Sequence, residues 1–235
     1  MRDVPELVNG YRRFLGRLHP QGAELYQSLA EAGQAPKTMV IACCDSRVDP
    51  AAIFSAGPGQ LFIVRNVANL VPPYEPHGDY HGTSAALEFA VTELEVETIL
   101  VMGHAHCGGV RASLEGRHER SGKYGFIDRW MSLLNAARTE VLRDTARLPI
   151  ETQQRALEHA CVRHSIENLK TFPFIKERLA NDGLRLRGAY FDIADRSLLA
   201  LDPEGDRFGP LDLWRDALPT APRNGDMELT KPLGA

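Results

Sequence analysis

A chain of 235 residues, 43% hydrophobic and 25% charged, has the make-up of a globular protein and enough length for one large core. A formal net charge of −4 and a pI near 6.1 argue against the basic surface that a nucleic-acid partner would need. The N-terminal stretch MRDVPELVNGYRRFLGRLHP lacks the apolar core of a signal peptide, and no apolar run approaches the roughly 20 residues that cross a bilayer. We therefore expect a cytoplasmic protein with no membrane partner. In that reducing compartment its four cysteines read as metal ligands, catalytic thiols or buried small residues rather than disulfides.

Residues 4–18 place Leu7, Val8, Tyr11, Phe14, Leu15 and Leu18 at helical spacing, with Arg12, Arg13 and Arg17 on other faces. This amphipathic helix stands ahead of the first strand, so its own domain or a partner subunit must cover its apolar side. Residues 37–42, 60–64 and 98–102 are short apolar runs without alternation, as strands buried on both faces of a parallel sheet should be. Between the second and third lies GTSAALEFAVTEL, residues 82–94, which predicts a helix capped by Thr83 or Ser84. Strand–helix–strand order implies a right-handed crossover and an α/β sheet. Helices are predicted at 126–144 and 151–170, joined by a loop containing Pro149. A turn at Asn181-Asp182-Gly183 leads into a strand at 184–193 and a shorter one at 197–201. From Asp202 the chain grows rich in Pro, Gly and Asp, which predicts a loose tail. There is no internal repeat and no composition break before that tail.

Two of the strands run into chemistry. The first is followed by Cys43-Cys44-Asp45-Ser46-Arg47, and the third by GHAHCGG, residues 103–109. Ligands of open parallel sheets sit outside the carboxyl ends of the strands. Neighbouring strands lie about 4.8 Å apart, so Cys43, His104 and Cys107 can converge on one point. His-x-x-Cys, with the cysteine at the turn into a helix, is a workable pair of zinc ligands. Three protein ligands with no fourth in a matching motif leave a position open, the pattern of a catalytic zinc. Cys44 points away from Cys43 if the strand is extended, and Cys161, in a helical stretch, reads as a buried small residue. Asp45 can reach the metal or its water, while Arg47 can form a charge-assisted pair that holds the carboxylate off the metal. Alone, His104 and Cys107 would read as a core histidine and a buried thiol, and Asp45–Arg47 as a surface ion pair. The assembled set favours a metal.

Cys-x-Asp-Ser-Arg (43–47), LFIVRNVAN (61–69) and GHAHCGG, in that order, resemble the β-class carbonic anhydrases over residues 34–192. The resemblance implies one Zn2+ per chain, held by Cys43, His104 and Cys107, with Asp45 and Arg47 as the catalytic pair. It implies an α/β fold: a mostly parallel β-sheet core with an antiparallel edge strand, flanked by helices. Residues 1–33 would form an N-terminal helical arm that wraps a dimer, 34–201 the zinc-binding catalytic domain, and 202–235 a loosely ordered C-terminal tail. The implied partners are CO2, bicarbonate and a second copy of the chain, in a homodimer or a larger assembly of dimers.

The implied reaction is reversible hydration of CO2 to bicarbonate and a proton through zinc-bound hydroxide. Three-histidine carbonic anhydrases are the general example of zinc acidifying its water; two thiolates would weaken that effect by cancelling the metal's formal charge. One branch of the family carries a Trp three residues before the first ligand and a Gly just before it, which help build a bicarbonate site that shuts the enzyme. Val40 and Ala42 stand there instead, as in the plant-like, open-site branch. Gln34, reaching across the dimer, and Phe62, Val67, Phe89 and Gly108 are the implied substrate-binding residues. Phe89 and Glu93 stand where plant enzymes have a Tyr and a His that move protons out of the site. Tyr80, His77, His81 and His106 are available instead, the histidines reading first as solvated loop residues. Two other readings stay open. One is a carbonyl sulfide or carbon disulfide hydrolase on the same scaffold. The other is a zinc–thiolate redox sensor that pairs Cys43 with Cys44. No strand ends in a glycine-rich phosphate loop, which disfavours a nucleotide binder.

Overall fold

The computed structural model describes residues 4–77, 81–116, 125–181, 183–204 and 206–214. The chain opens with helices α1 (Val4–Arg17) and α2 (Pro20–Ala32), followed by strand β1 (Thr38–Cys43), helix α3 (Pro50–Ile53) and strand β2 (Leu61–Asn66). Helix α4 (Gly82–Glu88) leads to β3 (Thr98–His104), then to α5 (Gly108–Leu114), α6 (Phe126–Met131), α7 (Asn135–Thr145) and α8 (Ile150–Leu169). Helix α9 (Pro173–Ala180) and strands β4 (Arg185–Asp192), β5 (Ser197–Leu201) and β6 (Phe208–Gly209) complete the described part.

The strands form one sheet in the order β2-β1-β3-β4-β5-β6. The first four are mutually parallel, and β5 and β6 turn antiparallel. The mostly parallel core with an antiparallel edge is thus the observed fold. Of the three apolar runs predicted as strands, β1 and β3 lie inside the sheet and are buried, as strands covered on both faces should be, whereas β2 is its edge and only partly buried. Met39, Ile41, Ile99 and Val101 face a core that includes Leu87, Val91, Val162 and Leu169. Val40, Ala42, Leu100, Met102 and Ala189 face the other side, packed by Ile53, Phe54, Leu198 and Trp214. Gly103 lets α8 approach β3 closely, since a Cβ there would lie 2.6 Å from Val162 Cγ2.

Several local expectations change. Neither Thr83 nor Ser84 caps α4; its N-cap is His81, without a side-chain bond. The predicted helix 82–94 widens into a π turn at Phe89–Glu93. The predicted helix 126–144 is broken by a 3-10 turn at Ser132–Leu134. The tail predicted from residue 202 as loose is ordered where described. Asp202 accepts from the Glu204 backbone and from Arg207, β6 pairs with β5, and Trp214 Nε1 donates to the Leu201 carbonyl. Pro203 lies in the turn after β5, and Pro210 stands at the N-cap of a 3-10 turn at Leu211–Leu213. Residues 215–235 lie outside the described part. Helix α1 is amphipathic as predicted, but none of its residues is buried. Leu7, Tyr11 and Leu15 remain 62%, 61% and 48% exposed. Among the described residues, no helix is long and apolar enough to cross a membrane.

His159 of α8 is held between the Tyr190 and Phe208 rings, with centroids 4.4 and 4.3 Å away, and its Nε2 is buried without a partner. Burial, then the charges of Arg163 and Arg155, push its pKa down to about 4. The folded imidazole therefore refuses a proton that the unfolded chain binds from about pH 6.5 downward. Stability is complete above that value and falls as the pH drops toward the folded pKa. Melts at about pH 7.5 and about pH 4.5 should show His159→Leu losing roughly 2 kcal/mol less than the parent on acidification. Equal losses in both proteins would assign the acid sensitivity to other groups.

Candidate metal centre

Cys43 is the last residue of β1 and His104 the last of β3, and β1 and β3 are hydrogen-bonded neighbours. Cys107 follows on the turn that enters α5, as that helix's N-cap. The three ligand atoms lie within 4.8 Å of one another, and all three residues are buried. The two sulfurs are 3.9 Å apart. Two thiolates on a tetrahedral ion at about 2.3 Å would stand about 3.8 Å apart, so the spacing fits a metal without rearrangement. His104 Nδ1 lies 2.9 Å from the Ala105 carbonyl. Donation from Nδ1 to that oxygen leaves Nε2 with its lone pair free, and Nε2 is buried with no partner. An orphaned acceptor between two thiols is what a soft or borderline cation would satisfy.

The thiols are unequal. The hydrogen bond with Cys107 pulls the Cys43 pKa well down, helped by His104 and by the backbone N–H groups of Asp45 and Ala68 against burial. That same bond and burial push Cys107 up.

Beside them, Asp45 is gripped by Arg47 in a bidentate pair, Nε to Oδ1 at 2.9 Å and Nη2 to Oδ2 at 2.7 Å. The Arg47 backbone N–H adds a third bond to Oδ1 at 3.0 Å, and Nη2 also reaches the His106 carbonyl at 3.1 Å. These bonds from Arg47 hold the carboxyl far below the usual carboxylate range. Arg65 staples the same turn from β2, donating to the Cys43 and Asp45 carbonyls at 2.9 and 2.6 Å and to Asp49 at 3.1 Å.

The 3-10 turn Val67–Asn69 packs with the two ligand cysteines. Ala68 and Asn69 both adopt left-handed backbone, φ 65° and 48°. That conformation costs alanine roughly 1–2 kcal/mol and asparagine less, and side-chain bonds around the turn offset it. Asn66 brackets the turn, accepting from the Leu70 N–H and donating to the Leu70 carbonyl. Cys161 donates to the Ala68 carbonyl, Ser165 to that of Asn69, and Asn168 to that of Val71. Cys161 is thus buried as expected, and also bonded.

The remaining predicted residues divide. Val67 sits at the site, where its Cγ1 would lie 2.8 Å from a Cβ at Gly109. Gly108 is exposed with open space around it, so the packing demands glycine at 109 rather than 108. Cys44 is exposed, unlike buried Cys43, and lines a cavity of about 770 Å³ with Trp130, Phe126 and Val67. Phe62 and Phe89 meet, with ring centroids 5.9 Å apart. Yet Phe62 pairs with Met39, while Cys43 pairs with Asn66 four residues further along β2. Four residues of strand span about 13 Å, so the pair is remote from the ligands of its own chain. Gln34, His77, His81 and His106 are exposed, and Tyr80 lies outside the described residues.

Residues 38–198 match the family described as carbonic anhydrase. "Beta carbonic anhydrase 3" of Arabidopsis thaliana is 35% identical over 220 residues, 93% of this chain and 80% of that protein. The solved β-carbonic anhydrase CcaA is 31% identical and superposes with a TM-score of 0.81, covering 88% of this chain and 98% of that one. A structure from a study of two tetrameric β-carbonic anhydrases of the ascomycete Sordaria macrospora is 29% identical, with a TM-score of 0.73 over 83% and 94% of the chains. The chain belongs to the β-class carbonic anhydrases, and similarity to the Arabidopsis enzyme agrees with the plant-like branch. As a member it is an enzyme of the carbonate dehydratase class, a lyase.

Ala68→Val should cost about 2–3 kcal/mol in denaturant unfolding, because a β-branched side chain resists left-handed backbone. Ala68→Gly should stay within about 1 kcal/mol of the parent. Equal stability of the valine variant would show that the turn is not under this constraint.

Proposed function

We propose that the chain catalyses the reversible hydration of CO2 with one zinc ion held by Cys43, His104 and Cys107. The observation that carries this reading is the convergence of two buried sulfurs and an orphaned imidazole nitrogen beside an ionised carboxylate. Bound zinc would supply a water acidic enough to yield a nucleophile near neutral pH. Asp45, kept unprotonated by Arg47, can only accept a hydrogen bond. It would take one from the attacking oxygen and turn that oxygen's lone pair toward the carbon. Arg47 fixes the carboxylate in this place and occupies the oxygens that would otherwise be open to the metal. Val67 supplies apolar wall for a substrate without charge.

The assembly is part of the proposal. The uncovered apolar face of α1 supports self-association through the N-terminal helices, as does the tetrameric state of the Sordaria enzymes. Gln34, Phe62 and Phe89 would then serve the site of a second copy rather than their own.

Stopped-flow hydration assays with zinc quantified on the same sample test the reading. The parent should hold close to one zinc per chain. Asp45→Asn should keep that zinc and lose about 100-fold or more in kcat/KM. Zinc bound without any CO2 hydration by the parent would overturn the assignment of substrate. In light scattering, Phe14→Glu with Leu7→Glu should lower the assembly's mass. An unchanged mass would remove α1 from the interface.

A further inference from the structure

We propose that Glu158 is a positioning residue that fixes Cys107 in the metal centre. Helix α8 carries a stripe of polar residues, Gln154, Glu158, Cys161, Ser165 and Asn168, at alternating spacings of four and three. Such spacing puts them on one helix face, and that face is buried, at 6%, 3%, 1%, 0% and 8% exposure. Every member bonds to backbone of the two segments that frame the ligands. The C-terminal half of the stripe holds the Val67–Asn69 turn and its continuation to Val71, as described above. Its N-terminal half holds Cys107 itself.

Glu158 Oε1 accepts from the Cys107 backbone N–H at 2.9 Å and from Gln154 Nε2 at 2.8 Å. Its other oxygen accepts from the Tyr190 hydroxyl at 2.7 Å. Gln154 Nε2 also lies 3.4 Å from the Cys107 carbonyl, and Gln154 Oε1 accepts from Arg111. Both polar groups of the Cys107 main chain are therefore taken up by one pair of side chains a single turn apart on α8. A carboxyl at 3% exposure is costly to bury unless it is fully bonded. Here it accepts from a ligand's own backbone N–H, from Tyr190 of β4 and from Gln154 of its own helix. Moving Cys107 would break this network, so the sulfur is held where the metal needs it before any metal arrives. Outer partners that orient ligands in this way act on metal affinity.

The inference rests on the zinc reading of the site. Zinc-loaded protein is challenged with graded chelator at a temperature where each variant is folded, and cobalt-loaded samples give the thiolate charge-transfer band. The parent must retain its metal against moderate chelator; a parent that binds none sinks the zinc reading and this inference together. With the parent loaded, Glu158→Ala should lose about 10–100-fold in zinc affinity and shift the cobalt band. Glu158→Gln keeps an acceptor for the Cys107 N–H and should stay within about threefold of the parent. Tyr190→Phe frees one carboxylate oxygen without changing packing volume and should weaken zinc by about threefold or more. It decides the matter should Glu158→Ala fail to fold. Unchanged affinity and cobalt spectrum in the alanine and phenylalanine variants, with only the melting temperature lowered, would overturn the assignment. So would a glutamine variant as weak as alanine.

Discussion

Two sulfurs 3.9 Å apart in a buried pocket cannot both carry charge unless a cation stands with them. The geometry around the site brings that pair together and ties the neighbouring carboxylate to an arginine. Parallel pairing of β1 with β3 brings Cys43 and His104 to the same end of the sheet. Asp45, only two residues from the first sulfur, would be drawn to the same cation. The bidentate grip of Arg47, itself tied to the His106 carbonyl, gives the carboxylate a competing partner of opposite charge.

A second demand is that loops, which ordinarily are the mobile part of a fold, hold atoms to within tenths of an ångström. Helix α8 meets it by turning a polar face inward. Gly103 permits the close approach of α8 to β3, and the stripe from Gln154 to Asn168 then reaches main-chain groups on both loops. The arrangement stores strain in left-handed Ala68 and Asn69 and offsets it with bonds from a rigid element.

What the sequence revealed and concealed follows from the same physics. Strands β1 and β3 are legible because burial on both faces leaves an unbroken apolar run. The ligands are legible because their spacing at strand ends is chemically unusual. Helix α2 falls inside the helical arm that the resemblance implies for residues 1–33, and Pro20 at its start and Gly33, with positive φ, at its end are ordinary signals for its bounds. The stripe on α8 stayed hidden: polar residues at helical spacing look like a solvated face until topology buries them. Left-handed Ala68 has no local signal, since alanine has no preference for that conformation. The remoteness of Phe62 from the ligands is a matter of register along β2, which spacing within one strand does not express.

The bonds from α8 to the Val67–Asn69 turn and to Cys107 end on carbonyl and amide groups, and they ignore the side chains those segments display. The frame around the centre is therefore indifferent to what is mounted on it at positions such as Val67, His106 and Gly108. Shape and polarity of the reaction chamber can drift, or be redesigned, while the coordinates of the ligand set stay put. Ala68, buried in left-handed backbone, and Gly109, where a Cβ would meet the Val67 side chain at 2.8 Å, are less open to such exchange.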